Sequence, residues 1–327
     1  MDASKDTAST RERERTIGDF ATRILGRTAS RVARMKAFET NEVYDVVAAG
    51  RRYIVKASAH DASRAEAWAC ARGANAGFAA PGILGFAAID ERTSAFVMPR
   101  IDGEPIPSGH PALREVGTRL RELHRVTLPR FGALAEVAWH GRALDLSFSD
   151  GAFAHDTTNA SRELPCRLHD ASWLDYLRRI CTEARRIGTP GAIAAADAAT
   201  TAVDAHVGTL AAVSVGSLCH ADLKTAHILV DGTRLAAVID WGDAAVADPL
   251  WDIARFGHRA DAASLALLLD GYDPNRTLAG ELARRLPLYS ALWMMVDAIV
   301  DHRLGHSAEV PLDSALRYLA PNAERLH

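Results

Sequence analysis

The sequence predicts an α+β chain of two lobes, a small antiparallel-sheet N-lobe followed by a large, mainly helical C-lobe. Three observations carry this reading. Residues 30 to 100 hold short strand-like apolar runs interrupted by one helical segment. The stretch IDGEPIPSGHP then breaks the chain with three prolines and two glycines. Beyond it, helical patterns dominate to the C-terminus. The expected division is therefore residues 1–100 and 101–327.

Residues 1–15 read as a loose tail, or as an extension of the first helix in which RERER lies on a solvated face. IGDFATRILGRT places apolar residues at helical spacing. RMKAFET and NEVYDVVAAG read as strands joined around Glu39–Glu42, and RRYIVKAS follows after a turn at Ala49–Gly50. DASRAEAWACARGANAG is rich in Ala, Arg and Glu and lacks β-branched residues, which predicts a helix ending near Gly73–Gly77. After the break at Pro81–Gly82, GILGFAAID and TSAFVMPR read as two strands around the polar turn Asp90–Thr93. REVGTRLRELHRV carries Val116, Leu120 and Leu123 on one helical face. Residues 129–170 show little periodicity. ASWLDYLRRICTEARRI and the Ala-rich AAADAATTAVDAHVGTLAAV are helical patterns, as are WDIARFG, RADAASLALLLDGY, LAGELARRLPLYSALWMMVDAIVDHRLG and DSALRYLA.

The chain has 327 residues, 48% hydrophobic, enough to build two lobes. A net charge of -3 and a pI near 6.5, with no basic block interleaved with aromatics, argue against a nucleic-acid partner. Cys70, Cys166, Cys181 and Cys219 have no CxxC spacing, which argues against a zinc site or a disulfide framework. The polar N-terminus has no apolar signal core, and no apolar run reaches spanning length. A cytoplasmic enzyme or binding protein, monomeric or homodimeric and without a membrane partner, is expected.

The chemistry concentrates in CHADLKTAHILVDG and AAVIDWGD. ILV and AAVI are β-prone runs joined by Asp231–Gly232–Thr233–Arg234, a hairpin pattern. Pairing those runs returns Asp240 to the loop that carries Asp222 and His227. Carboxylates gathered in this way repel unless a cation offsets them. Mg²⁺ takes oxygen ligands and keeps phosphate oxygens, which suits phosphoryl transfer. Upstream, Lys56 ends the strand RYIVK and Glu66 lies on the next helix. An ammonium beside a sheet needs such a partner, and it can contact nucleotide phosphates.

With these residues in view, the chain resembles the aminoglycoside phosphotransferase family, which shares the protein-kinase-like two-lobe fold. The matching elements are VYDVVAAGRRYIVKAS, Glu66, FVMPRIDGEPI, RELH, CHADLKTAHILVDG and AAVIDWGDAAVADPLWDIA, from Val43 to Ala254. The resemblance implies transfer of the γ-phosphoryl group of ATP, with GTP as an alternative donor, to a small-molecule hydroxyl. It implies that Lys56, held by Glu66, orients the α- and β-phosphates. Backbone groups of Met98, Pro99, Arg100 and Ile101 would read the base. Asp222 would accept or position the acceptor hydroxyl, and Asp240 would bind the metal. His220 joins this catalytic set as a brace for the loop. Asp248 and Asp252 would build the region behind it, while Trp241 and His124 would pack.

Four features depart from family or kinase patterns. Ala221 replaces the usual Gly of HGD, which leads to the expectation that no left-handed backbone is needed there. His227 stands where the family usually has Asn; it would ligate through one ring nitrogen or hold a metal-bound water, and the site is expected to accept Mn²⁺ as well as Mg²⁺. No GxGxxG is present, so Thr40 and Asn41 are the expected phosphate-covering donors. Neither a DFG nor an APE segment occurs, which argues against a protein kinase.

The candidate acceptors are aminoglycosides such as hygromycin, macrolides, nucleoside antibiotics and small metabolites. A cationic acceptor favours an acidic cleft, for which Asp145, Asp150, Asp156, Asp170, Asp175, Asp297 and Asp301 are candidates. Two non-enzymatic readings compete: a nucleotide-binding regulator without transfer, and a module binding cationic small molecules independently of Mg²⁺ and Lys56.

Overall fold

The computed structural model describes residues 3–37, 41–128, 130–134 and 170–320. In chain order the N-lobe contains α1 (Ala3–Leu25), β1 (Ala29–Ala37), β2 (Asn41–Ala48), β3 (Arg51–Ala59), α2 (His60–Asn75), β4 (Gly85–Ala88) and β5 (Thr93–Pro99). The strands form one antiparallel sheet in the order β1-β2-β3-β5-β4. Strand periodicity decides what each face does. Tyr53, Val55 and Ala57 point with Tyr44 and Val46 toward Ile17, Phe20 and Ala21 of α1. The residue between, Lys56, points to the opposite side, where Ala67 of α2 packs on Phe86 and Phe96. The sheet is thus covered by a helix on each face. Helix α1 reaches back through the RERER run, where Arg13 bonds Glu42 at 2.8 Å and Asp90 at 2.9 Å. Of the two readings of the N-terminal segment, the helical extension is the one observed.

The chain then crosses to the C-lobe through β6 (Glu104–Pro105). This lobe holds α3 (Leu113–Leu123), β7 (Thr127–Leu128), β8 (Gly132–Ala133), α4 (Trp173–Arg185), α5 (Pro190–Ala205), α6 (Val207–Ala211), β9 (Gly216–Cys219), β10 (Ile228–Asp231), β11 (Arg234–Val238) and β12 (Ala245–Ala247). It ends in α7 (Leu250–Gly257), α8 (Ala262–Tyr272), α9 (Ala279–Arg303) and α10 (Glu309–Leu319). Two small sheets lie among these helices, β11-β10-β6 and β7-β9-β12-β8. The linker therefore supplies an edge strand to the hairpin, with Leu229 opposite Pro105. The very short strands β6, β7, β8 and β12 leave too few residues for an alternating pattern, which is why they do not stand out in the sequence. The Ala-rich segment is split at His206 into α5 and α6.

One buried cluster runs from α2 (Trp68, Cys70) through the hairpin to Trp173, Trp251 and Tyr289 in the helical lobe. The two lobes consequently share a core along the cleft. Among the described residues no helix is long and apolar enough to cross a membrane.

Candidate active site

The site is built on the β10–β11 hairpin. Ile228 pairs with Val238, so the loop before β10 and the residues after β11 meet at one end. His220, Ala221 and Asp222 occupy that loop, His227 ends the 3-10 turn Thr225–His227, and Asp240 follows β11. Two residues take left-handed backbone, Ala221 at φ 60° and Asp240 at φ 67°. The expectation for Ala221 is therefore overturned. A non-glycine residue here costs about 1 kcal/mol or more, and the surroundings must hold it.

What holds it is Asp252 on α7. Its fully buried carboxylate accepts the His220 amide at 2.8 Å and the Ala221 amide at 2.7 Å. His124 donates to it from Nε2 at 3.1 Å and meets the Tyr272 hydroxyl at Nδ1, 2.8 Å away. His220 continues the brace. Its Nε2 donates to the Ile239 carbonyl at 3.0 Å, and its Nδ1 accepts the Asp222 amide at 3.3 Å. With both ring nitrogens used and the side chain buried, His220 ties the backbone before Asp240 to the backbone of Asp222. Burial also lowers its pKa, outweighing the neighbouring carboxylates.

Across the cleft, Lys56 Nζ lies 2.5 Å from Glu66 Oε1 and 2.9 Å from Asp240 Oδ1. Burial works against the ammonium, but the two carboxylates hold its pKa above the ordinary lysine value. Burial likewise pushes Asp240 up, and Lys56 then brings it down to about 2. Glu66 is also bonded by the Trp241 amide. Trp241 itself is buried; its indole donates to the Val238 carbonyl and meets Phe78 edge-on. Gly73 of α2 leaves room for that indole, since a Cβ at this position would lie 2.4 Å from it.

His227 connects the two aspartates. Its Nδ1 is 3.0 Å from the Asp222 carbonyl, which can only accept, so Nδ1 carries the proton. Burial keeps the ring neutral, with a pKa of about 4 despite Asp240 and Asp222 nearby. The Nε2 lone pair is then aimed at Asp240 Oδ2, 3.3 Å away. Two acceptors converging at this distance repel unless a cation lies between them. A backbone carbonyl fixing the far nitrogen is also the usual support for a metal-binding histidine. The donor set thus fits a divalent ion.

Asp222 has two side-chain partners outside the residues predicted from the sequence. Arg255 of α7 donates to Oδ1 from Nε at 3.1 Å and from Nη2 at 2.9 Å. Lys224 lies 2.6 Å from Oδ2. Burial opposes ionisation of Asp222, but Arg255 and then Lys224 hold its pKa below the usual carboxylate value. The adjacency of Lys224 in DLK is a signal that sequence reasoning passed over. Arg255 is reached only through the tertiary fold.

At the lobe junction, the Arg100 amide donates to the Arg52 carbonyl, so Arg100 is spent on β3. Antiparallel periodicity turns the Pro99 carbonyl to the other edge, beyond the last β4 partner, Gly85 opposite Val97, and Ile101 follows the end of the strand. Met98 pairs with Ile54 and packs near Phe96. Asn41 begins β2, and its Oδ1 is enclosed without a partner among the described residues. Thr40 lies outside the described residues, as do the acceptor candidates Asp145, Asp150 and Asp156.

The other acidic candidates are mostly engaged. Asp170 pairs with Arg179, Asp175 with Ser172, and Asp297 with Arg255 and Arg259. Asp301 Oδ1 lies 3.9 Å from His306. Asp248 accepts Arg285, the Tyr289 hydroxyl and the Leu250 amide, which fastens the start of α7 to α9.

Comparison with known proteins gives the same architecture. A family model described as the phosphotransferase enzyme family matches residues 35–286. No curated protein matches the chain by sequence. Among solved structures, a thermostable mutant of aminoglycoside phosphotransferase APH(4)-Ia in its apo form is similar at 18% identity and a TM-score of 0.61, covering 93% of this chain and 100% of that one. A protein provisionally assigned as a fructosamine-3-kinase, from Thermobifida fusca YX-ER1, is similar at 23% identity and TM-score 0.64, covering 92% and 98%. The apoenzyme of macrolide 2'-phosphotransferase MphH from Brachybacterium faecium is similar at 18% identity and TM-score 0.57, covering 96% and 100%. The match over residues 35–286 makes this chain a member of the phosphotransferase enzyme family, an ATP-dependent phosphotransferase acting on a small molecule.

Proposed function

We propose that the chain moves the γ-phosphoryl group of ATP to a hydroxyl of an antibiotic, such as a hygromycin-like aminoglycoside, in the cytoplasm. Residues 1–100 serve as the nucleotide-binding lobe and residues 101–327 as the catalytic and substrate lobe. The observation that carries the reading is the continuous chain of contacts from Glu66 through Lys56, Asp240 and His227 to Asp222.

In this reading Lys56 binds the α- and β-phosphates while Glu66 fixes its position. The Pro99 carbonyl and Ile101 amide offer an acceptor and a donor to the base, flanked by Met98 and the sheet-bound Arg100. Asn41, with Thr40, covers the phosphates. Asp222 orients the acceptor hydroxyl and receives its proton at a carboxylate oxygen. His220 positions that residue without touching substrate. Asp240 Oδ2 and His227 Nε2 would hold the metal, Mg²⁺ or Mn²⁺, and an ion bound there supplies neutralisation of phosphate charge.

A second reading, a macrolide acceptor, is favoured by His227 replacing the usual Asn. Nucleoside antibiotics and metabolites follow. The test is ADP release with Mg²⁺-ATP over a panel of hydroxyl-bearing antibiotics and small metabolites, with product mass read for one added phosphoryl group and Asp222→Asn as control. Turnover of an aminoglycoside, lost in the control, supports the reading. Turnover of only a macrolide or a metabolite moves the assignment to that class. ATP binding without transfer to any acceptor leaves a nucleotide-binding regulator.

A further inference from the structure

The two oxygens of Asp222 have separate environments. Oδ1 receives both bonds from Arg255, whose side chain is buried. Oδ2 faces Lys224 at 2.6 Å and His227 Nδ1 at 3.4 Å. Lys224 is partly exposed and can move aside, whereas Arg255 cannot. Arg255 is itself fixed on two sides. Its Nη1 donates to Asp297 Oδ1 of α9 at 2.8 Å, and its guanidinium carbon lies 4.4 Å from the centre of the Trp293 ring. The other oxygen of Asp297 is taken by Arg259 at 2.9 Å, and His258 lies 3.9 Å from it.

We propose that Arg255 is a positioning residue for phosphoryl transfer, locking Oδ1 so that Oδ2 alone meets the acceptor hydroxyl, and that Asp297 sets the angle of Arg255. The inference rests on the phosphotransferase reading of Asp222. Its physical basis is the softness of a carboxylate about its last torsion, which has broad wells. Two donors from a planar fork on one oxygen remove that freedom. A guanidinium keeps its proton at any working pH, so the lock does not titrate away. A lysine at this position would restore a charge and one bond, but not the fork. The same frame explains why Asp297 does not offer a free carboxylate to a cationic acceptor.

The experiment uses the full-length protein with Arg255→Met, Arg255→Lys and Asp297→Asn, each measured for kcat, for KM of ATP and of the acceptor, and for thermal unfolding. Arg255→Met is expected to lower kcat about 100-fold, with KM for ATP within about twofold, since small misplacements of a reacting group cost that much. Arg255→Lys should regain about tenfold of the loss, and Asp297→Asn should lose about tenfold. A kcat within about threefold of the parent in Arg255→Met overturns the proposal. So does an equal rise in KM for ATP, or a lysine variant no better than methionine. If the methionine variant does not fold, the other two variants carry the test alone. If the parent transfers phosphate to no acceptor, the functional reading fails. The lock is then judged by crystallography of Asp297→Asn: a displaced Asp222 carboxylate supports it, and an unmoved one overturns it.

Discussion

Replacing Asp252 by Asn tests whether the left-handed loop is held as described. The native carboxylate is fully buried and accepts two backbone amides, at 2.8 and 2.7 Å, and His124 at 3.1 Å. An amide has one acceptor oxygen. Whichever way it turns, its NH₂ faces the His220 or the Ala221 N–H. Leaving one buried donor unpaired costs about 1–3 kcal/mol, and converting the remaining charge-assisted bonds to neutral ones costs about 1 kcal/mol more. The expected loss is therefore about 3 kcal/mol, which for a chain of this size is a fall of roughly 4–5 °C in Tm. Because the loop carries Asp222, kcat should also fall at least about tenfold while ATP binding stays close to the parent. Tryptophan fluorescence during heating gives Tm, and the phosphoryl-transfer assay gives kcat. A Tm within about 2 °C of the parent, with full activity, would refute the claim that this carboxylate holds the loop.

Three further outcomes follow from the same geometry. Ala221→Gly should change stability by less than about 1 kcal/mol, relief of the φ 60° strain offsetting the entropy of glycine, whereas Ala221→Val should cost about 2 kcal/mol or more; equal Tm values for the two would contradict a left-handed residue at this position. His227→Asn should raise the half-saturating Mn²⁺ concentration about tenfold more than that for Mg²⁺, and identical responses of both proteins to both ions would remove His227 from the metal. His227 and His258 are held by burial at about 4 against 6.5 unfolded, so the unfolded chain takes up their protons first. The stability from keeping them neutral is present above about pH 6.5 and is lost as pH falls toward 4; His258→Gln should flatten the decline of Tm over that window, and an unchanged slope would count against the buried neutral ring.

The parts of the site that were legible in the sequence are those set by local pattern. The ILV and AAVI runs, with Asp231–Gly232 between them, carry their own hairpin signal, whereas the bulge between Leu229 and Val230 that brings Ile228 opposite Val238 has no such signal. Lys56 sits at a fixed parity on β3, so its face is decided once Tyr53 and Val55 are known to be core. At Ala221 the structure departs from the sequence expectation for a physical reason. A left-handed alanine is disfavoured locally, and only the distant Asp252, 31 residues on, stabilises it. Arg255 is not legible because its helix, read alone, gives no reason to aim a guanidinium at Asp222, 33 residues earlier. Side-chain partners contributed by other elements have no periodicity to betray them.

The fit of Trp241 against Gly73 has a consequence for control of the enzyme. The indole stands one residue after Asp240, and its amide bonds the carboxylate of Glu66. Helix α2 therefore cannot swing outward to part Glu66 from Lys56 without emptying the space beneath a buried tryptophan, which costs about 3–5 kcal/mol. An idling position reached by swinging α2 outward is therefore expensive. The enzyme's throughput would be governed by how much protein is made and by how much acceptor arrives, rather than by a latch of that kind on the small lobe.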